Sequence, residues 1–489
     1  MCFTVNYIMG TGFLTLPWAF YSAGIVLSLF TVAIVCLASD ISKGYVLETM
    51  ARSDALFRAE CVKVNEEDGS MSLIKEGNNT VSESSALLRG KNKSSSNSSK
   101  DSVNNGGPHT VRKRKFEVIE MCHIFLSGNG PKWYMLTIGL YMYGTLWAYT
   151  SVFAKAMSEA LPLAHILGLG SDDYLIYVAI FSSIVVPLTC MELREQVAVQ
   201  VFLSLCRLIM VIIVVGSISG SMNATTAQFG SQTHAEPDAE HPFYNIDGLY
   251  KMLPIAVYAN IFHHSIPGLS SPVADKRKLS MIFGATFAFG MIAYSLIGGM
   301  VAYYFGEHIQ ESSNLNWVSY HAGRGDLVCS EDSGNCRFSH KPFWVQAIAY
   351  YVVCFPATDV VSAFPLNGIT LGNSLMGSYY GSMIRQVEGD RLKVTAFRLL
   401  GAVPPIIGAC FVRELGTITA YTGVTGFIIA FTFPAILNIR SKETLREVGL
   451  KDETIYTRNI ISDDWFSKGV SWFGVGLVVY VVMNLVTKG

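Results

Sequence analysis

The residue pattern of this 489-residue chain is that of an all-α polytopic membrane protein with about eleven transmembrane helices. Apolar side chains gather in blocks of about 20 residues, the length at which a helix crosses a bilayer. Charged residues make up only 15% of the chain against 51% apolar, so the polar coat that a soluble core of this size needs is missing. A mean hydropathy of +0.36 agrees. The 36 Lys and Arg balance 37 Asp and Glu, which leaves no basic field to hold DNA or RNA.

In order, the spans are expected near residues 3–20, 24–50, 133–158, 173–191, 197–219, 248–270, 280–305, 343–364, 394–412, 416–438 and 467–486. This divides the chain into spans 1 and 2 (1–50), a disordered Ser- and Lys-rich cytosolic loop (51–132), spans 3 to 6 (133–270), and spans 7 to 11 with an outside loop at 306–341 (271–489). Met1-Cys2-Phe3 leads straight into the first span with no basic region or small-residue cleavage site, so the start is not expected to be a removable signal peptide.

Placing the N-terminus in the cytosol puts about 25 Lys and Arg in the inside loops and about five outside. The expected orientation is therefore N-terminus cytosolic and C-terminus outside or lumenal. The 51–132 loop contains Lys91-Asn92-Lys93 followed by a serine run, then Arg112-Lys113-Arg114-Lys115, a composition unable to bury enough apolar surface to fold alone. Within it, Glu83-Ser84-Ser85-Ala86-Leu87-Leu88 has the acidic dileucine form, so Glu83, Leu87 and Leu88 are candidates for a sorting-adaptor signal. That points to endolysosomal membranes, with the plasma membrane as the other destination. Asn223-Ala224-Thr225 is a glycosylation acceptor on the outer side, while the acceptors at Asn78, Asn92 and Asn97 fall inside. Cys329 and Cys336 share the outside loop, where an oxidising compartment favours a disulfide.

Two spans carry an interruption. In the first, Asn6-Tyr7-Ile8-Met9-Gly10-Thr11-Gly12-Phe13-Leu14-Thr15-Leu16-Pro17 places two glycines and a proline at membrane depth, with Pro17 suited to the first turn of a restarted helix. A break there exposes N–H groups suited to a carboxylate and carbonyls suited to a cation; close helix packing is the other use of such glycines. The sixth span is interrupted as well, across Pro254 to Pro267, with Tyr258, Ala259, Asn260, His263 and His264 inside it. Interrupted spans at corresponding places in two halves of five point to a midplane binding site between inverted repeats.

The stretch from Asn6 to Pro17 followed by Ala19-Phe20-Tyr21-Ser22-Ala23-Gly24 resembles the opening signature of amino acid/auxin permease-type transporters. His263-His264-Ser265-Ile266-Pro267, Ser271-Pro272-Val273-Ala274-Asp275-Lys276-Arg277 and Phe364-Pro365-Leu366-Asn367 are similar to the same family, more closely to its transmembrane protein 104 branch. The resemblance implies a LeuT-like fold, with ten helices in two inverted repeats, a peripheral eleventh, and substrate held between broken helices 1 and 6. It also implies secondary transport of an amino acid coupled to H⁺ or Na⁺, with no other cofactor.

On that basis Gly10, Thr11, Gly12, Tyr258, Ala259, Asn260 and His263 are the candidate substrate-binding residues, and Asn6, Thr358 and Asp359 the candidate ion-coupling ones. Asn6 and Thr358 would supply oxygen ligands to Na⁺, the only metal expected. A Thr hydroxyl bonded to its own helix is the alternative for Thr358. Asp359 must be protonated, paired or hydrated at its depth. Arg207, Lys155, Glu159 and Arg398 are available counter-charges, each expected to snorkel to an interface in a structural role. His263 could carry a proton or simply pack. Small residues from Tyr421 to Gly426 are expected to serve helix packing. A non-transporting amino-acid sensor signalling through the cytosolic loop is the alternative function. An enzyme is not expected, since no zinc-protease, dinucleotide, phosphate-loop or nucleophile-elbow motif appears.

Overall fold

The structure, a computed structural model, describes residues 10–67, 108–112, 116–163, 172–191, 197–222, 243–322, 326–329, 336–339, 341–380 and 390–488. Eight helices among these are long and apolar enough to cross a membrane. They lie in α2 (Ile25–Glu67), α5 (Asp173–Cys190), α6 (Val197–Met222), α9 (Leu279–Phe305), α10 (Phe343–Tyr380), α11 (Arg391–Phe411), the stretch from α12 (Leu415–Phe427) to α13 (Phe433–Glu447), and α15 (Asp464–Lys488).

The other three expected spans take different forms. Of the first, the described part is α1 (Gly12–Ala23). The third is α4 (Gly130–Ala160), whose 31 residues are ample in length but rich in Tyr, Trp and Thr. The sixth is broken into α7 (Leu249–Asn260), a 3₁₀ turn at His263–Ser265 and the short α8 (Ile266–Ser270). Two short helices, α3 (Val118–Phe125) and α14 (Asn459–Ser462), lie between spans.

The bundle is built around α1, α7, α4 and α10. α4 runs along α10 and also meets α5, α11 and α12, while α7 is enclosed by α1, α2 and α12. Lipid tails are as apolar as leucine, so close contact between helices has to come from small residues. Gly423 fulfils this on α12, because a Cβ there would sit 2.1 Å from the Pro254 carbonyl oxygen of α7. The Tyr421 to Gly426 stretch thus packs helices, as expected. Gly24, the one residue between α1 and α2, has φ +85°, a left-handed turn that a side chain would strain. α15 is peripheral, with Trp472, Met483 and Val486 exposed on its outer face.

The cytosolic loop expected over 51–132 is shorter than the composition suggested. α2 continues to Glu67, and Lys43, Glu48 and Arg52 on it are buried. Their charges are matched: Arg52 bonds Glu48 at 2.7 Å, Asn438 Oδ1 at 2.6 Å and the Asp452 carbonyl at 2.9 Å. Residues 108–112 return to the bundle, where His109 N donates to the Glu453 carbonyl and Ile455 N donates to that of His109, both at 2.9 Å. Burial lowers the His109 pKa below its usual value, while its Nε2 donates to the Lys451 carbonyl at 2.7 Å.

The 306–341 loop, expected outside, is partly folded among its described residues. Trp317 is fully buried there and its indole donates to Ser217 Oγ of α6 at 3.0 Å, while Asn314 donates to the Val353 carbonyl of α10. The same loop contains a two-stranded antiparallel hairpin, β1 (Asp326–Cys329) and β2 (Cys336–Ser339), an addition to the all-α expectation. Its register sets Cys329 directly opposite Cys336.

Candidate functional site

The two interrupted segments meet. α1 begins at Gly12, with Thr11 as its N-cap residue and no side chain capping its first turn. A helix start leaves its first N–H groups unpaired within the helix. Pro17 lies inside α1 rather than at its first turn, because the helix begins five residues earlier. α7 ends at Asn260, after which Ile261 is extended (φ −83°, ψ 118°) and the chain turns through the 3₁₀ segment.

The contact between them is tight. A Cβ on Gly12 would lie 2.7 Å from the Cα of Ala259, so only glycine permits this approach. Gly10 has open space around it. Thr11 Oγ1 and the Tyr258 hydroxyl are 3.0 Å apart and hydrogen-bonded. The Tyr294 hydroxyl of α9 donates to the Ala259 carbonyl at 2.8 Å, satisfying one of the last carbonyls of α7. Tyr141 of α4 faces both Tyr258 and His264, with ring centroids at 6.0 and 5.5 Å. The crossing is thus lined by hydroxyls and helix ends at the centre of the bundle, and it is closed: Thr11, Gly12, Tyr258 and Ala259 are all buried.

The structure separates the remaining predicted residues from this group. Asn260 turns to α2, accepting from Cys36 Sγ at 3.3 Å and donating to the Ala256 carbonyl at 2.8 Å. His263 also faces α2, its Nε2 donating to the Ser39 carbonyl at 3.0 Å, with Phe262 and Phe287 against the ring. These two side chains brace the break rather than line the crossing.

Thr358 and Asp359 do not share a site, because neighbours on a helix point about 100° apart. Thr358 is exposed and donates to the Phe355 carbonyl of its own helix at 2.8 Å. Asp359 is buried and ion-paired with Arg207 of α6. Arg207 therefore does not snorkel; its side chain is only 6% exposed. Arg398 is buried too, donating to the Cys190 and Met191 carbonyls at the end of α5. Glu159 is exposed and, with Lys341, Gln346 and Tyr350, lines an outer cavity of about 320 Å³ away from the crossing. Asn6, Glu83, Leu87, Leu88 and Asn223 lie outside the described residues.

Sequence reasoning missed a polar cluster where α2, α13 and the segment before α15 meet. Besides the Arg52 bonds, Ser462 donates to Glu48, Lys442 pairs with Asp464 at 3.0 Å, and Arg458 pairs with Asp40 at 2.8 Å. Its signal was the spacing Asp40-x-x-Lys43 and Glu48-x-x-x-Arg52, which puts opposite charges on one helix face.

No family model matches the chain. Similar curated proteins are named Transmembrane protein 104: one from Homo sapiens is 24% identical over 473 residues, covering 89% of this chain and 86% of that protein. One from Gallus gallus is 23% identical, covering 99% of this chain and 95% of its own. Among solved structures, a mutant of the Eremococcus coleocola manganese transporter is similar at 10% identity, with a TM-score of 0.44 over 99% of this chain and 93% of that one. With its eight long apolar helices and homologues named as transmembrane proteins over most of their length, the chain is an integral membrane protein.

Proposed function

We propose that this protein is a secondary active amino-acid transporter that works by alternating access, with eleven spans in a LeuT-like five-plus-five arrangement. The observation that carries the reading is the meeting of the start of α1 with the broken sixth span, with Gly12 against Ala259 and Thr11 bonded to Tyr258. The uncapped start of α1 offers N–H groups to a carboxylate. Hydroxyls of Tyr258 and Tyr294 beside it suit an ammonium group. The closed crossing is then the occluded state, and transport requires α1 and α7 to part on one side at a time. Coupling is to H⁺ or Na⁺. The N-terminus is cytosolic, the 306–341 loop lies outside with Cys329 and Cys336 bridged and Asn223 glycosylated, and Glu83, Leu87 and Leu88 direct the protein to endolysosomal membranes through an adaptor.

Uptake of a labelled amino-acid mixture into proteoliposomes, under an imposed H⁺ or Na⁺ gradient, tests the reading. Accumulation by the wild type and not by Gly12→Val is the expected outcome. The sensor alternative draws support from the anchoring of the long 68–107 segment at both ends, by α2 and by the His109 contact. Its outcome is ligand-dependent stabilisation with no accumulation under either gradient.

A further inference from the structure

The cavity of about 320 Å³ beside Glu159 lies away from the crossing and has no part in the transport reading. It opens where α4 ends and α10 begins. At 31 residues α4 is about 46 Å long, the thickness of a bilayer with both its headgroup layers. Its last turn, which holds Glu159, therefore stands among headgroups rather than acyl chains. α10 starts at Phe343, and Phe343, Trp344 and Tyr350 in its first turns are exposed. Exposed aromatic rings at the end of a span mark the interface between membrane and water.

The lining carries opposite charges. Glu159 comes from α4, and Lys341 from the turn before α10, where its Nζ donates to the Tyr320 carbonyl at 3.0 Å. Among the described residues Glu159 makes no ion pair, although Lys155 stands one turn before it. Tyr350 adds an aromatic ring, and Gln346 an amide that donates one of its two hydrogens to the Lys341 carbonyl at 2.9 Å, while Val318 and Val353 give an apolar wall. A carboxylate beside an aromatic ring suits an alkylammonium group. An ammonium beside an amide N–H suits a phosphate or carboxylate. The two together call for a zwitterion. We propose that the cavity binds the headgroup of a zwitterionic phospholipid, its ammonium end against Glu159 and Tyr350 and its phosphate against Lys341 and Gln346. A free amino acid carries the same two charges, but the position among headgroups favours the lipid, whose acyl chains have the exposed rings of Phe343 and Trp344 to lie on.

Lipid selectivity tests this. The purified protein in detergent is titrated with short-chain phosphatidylcholine or phosphatidylglycerol, the second of which lacks the ammonium group, and bound lipid is counted by native mass spectrometry. Wild type should bind one phosphatidylcholine about tenfold tighter than phosphatidylglycerol. Glu159→Gln should lose that preference, whereas Lys341→Gln should weaken both lipids alike, since both carry the phosphate. The ratio of the two affinities within one variant does not depend on how much of it is folded. A free amino-acid mixture should leave phosphatidylcholine binding unchanged. Equal affinities in wild type, a preference kept by Glu159→Gln, or a Lys341→Gln variant that binds both lipids as wild type does would overturn the proposal. Displacement of phosphatidylcholine by the amino acids would also overturn it, by assigning the cavity to a free zwitterion.

Discussion

At the residue scale, the crossing of α1 and α7 rests on one glycine and one hydroxyl pair. Adding a methyl group at Gly12 forces it onto the Ala259 backbone, whereas Gly10 has room. Gly12→Ala is therefore expected to lower the melting temperature of the purified protein clearly, with Gly10→Ala close to wild type; equal effects would contradict the packing. Tyr258→Phe and Thr11→Val each remove the same 3.0 Å bond. Each should cost about 1 kcal/mol. In a double-mutant cycle the two costs should be less than additive, with Tyr258→Phe the larger because its hydroxyl also bonds Thr145. The sequence identified Thr11, Gly12, Tyr258 and Ala259 because glycines and polar groups at membrane depth stand out against apolar neighbours. It could not say which way Asn260 and His263 point. Side-chain direction at a break depends on the dihedrals of Ile261 and Phe262, which no periodicity encodes.

At the element scale, α2 is where composition misled. The loop was expected to begin at residue 51, yet the helix continues to Glu67, and the charges of Asp40, Lys43, Glu48 and Arg52 each have a partner on α2 itself or across the cluster with α13 and residues 451–464. Breaking a buried pair from one side is costly. Arg52→Met should destabilise the protein by about 3 kcal/mol or more, measured by denaturation in detergent, and a loss below about 1 kcal/mol would mean that the cluster is not structural. The contact between residues 108–112 and Glu453–Ile455 should respond to pH. Burial holds the His109 pKa below its unfolded value, so the docked segment favours the neutral ring. Docking is then at full strength above about pH 6.5 and weakens as pH falls below that, because the undocked segment takes up the proton more readily. Hydrogen exchange at the Ile455 amide, corrected for intrinsic rate, should be faster at low pH than at neutral pH. Unchanged protection would show that His109 does not control the contact.

At the scale of the whole molecule, the interruption of the sixth span was legible as a departure from the apolar pattern, and the structure sets it against the start of α1, where the sequence placed the other interruption. The 306–341 loop was not legible in the same way. Its folding onto α6 and α10 through Trp317 and Asn314 depends on tertiary contacts between residues about 40 to 100 positions apart. Amino-acid binding at the meeting of α1 and α7 can be read from the chemical accessibility of position 11. A Thr11→Cys variant in liposomes is treated with a membrane-impermeant thiol reagent, and the labelled fraction at that position is followed by mass spectrometry with and without an amino-acid mixture. Binding between the helices predicts labelling that is slowed in proportion to site occupancy and restored when the mixture is washed out. Labelling that proceeds at the same rate in the presence of every amino acid would contradict a substrate site at this crossing.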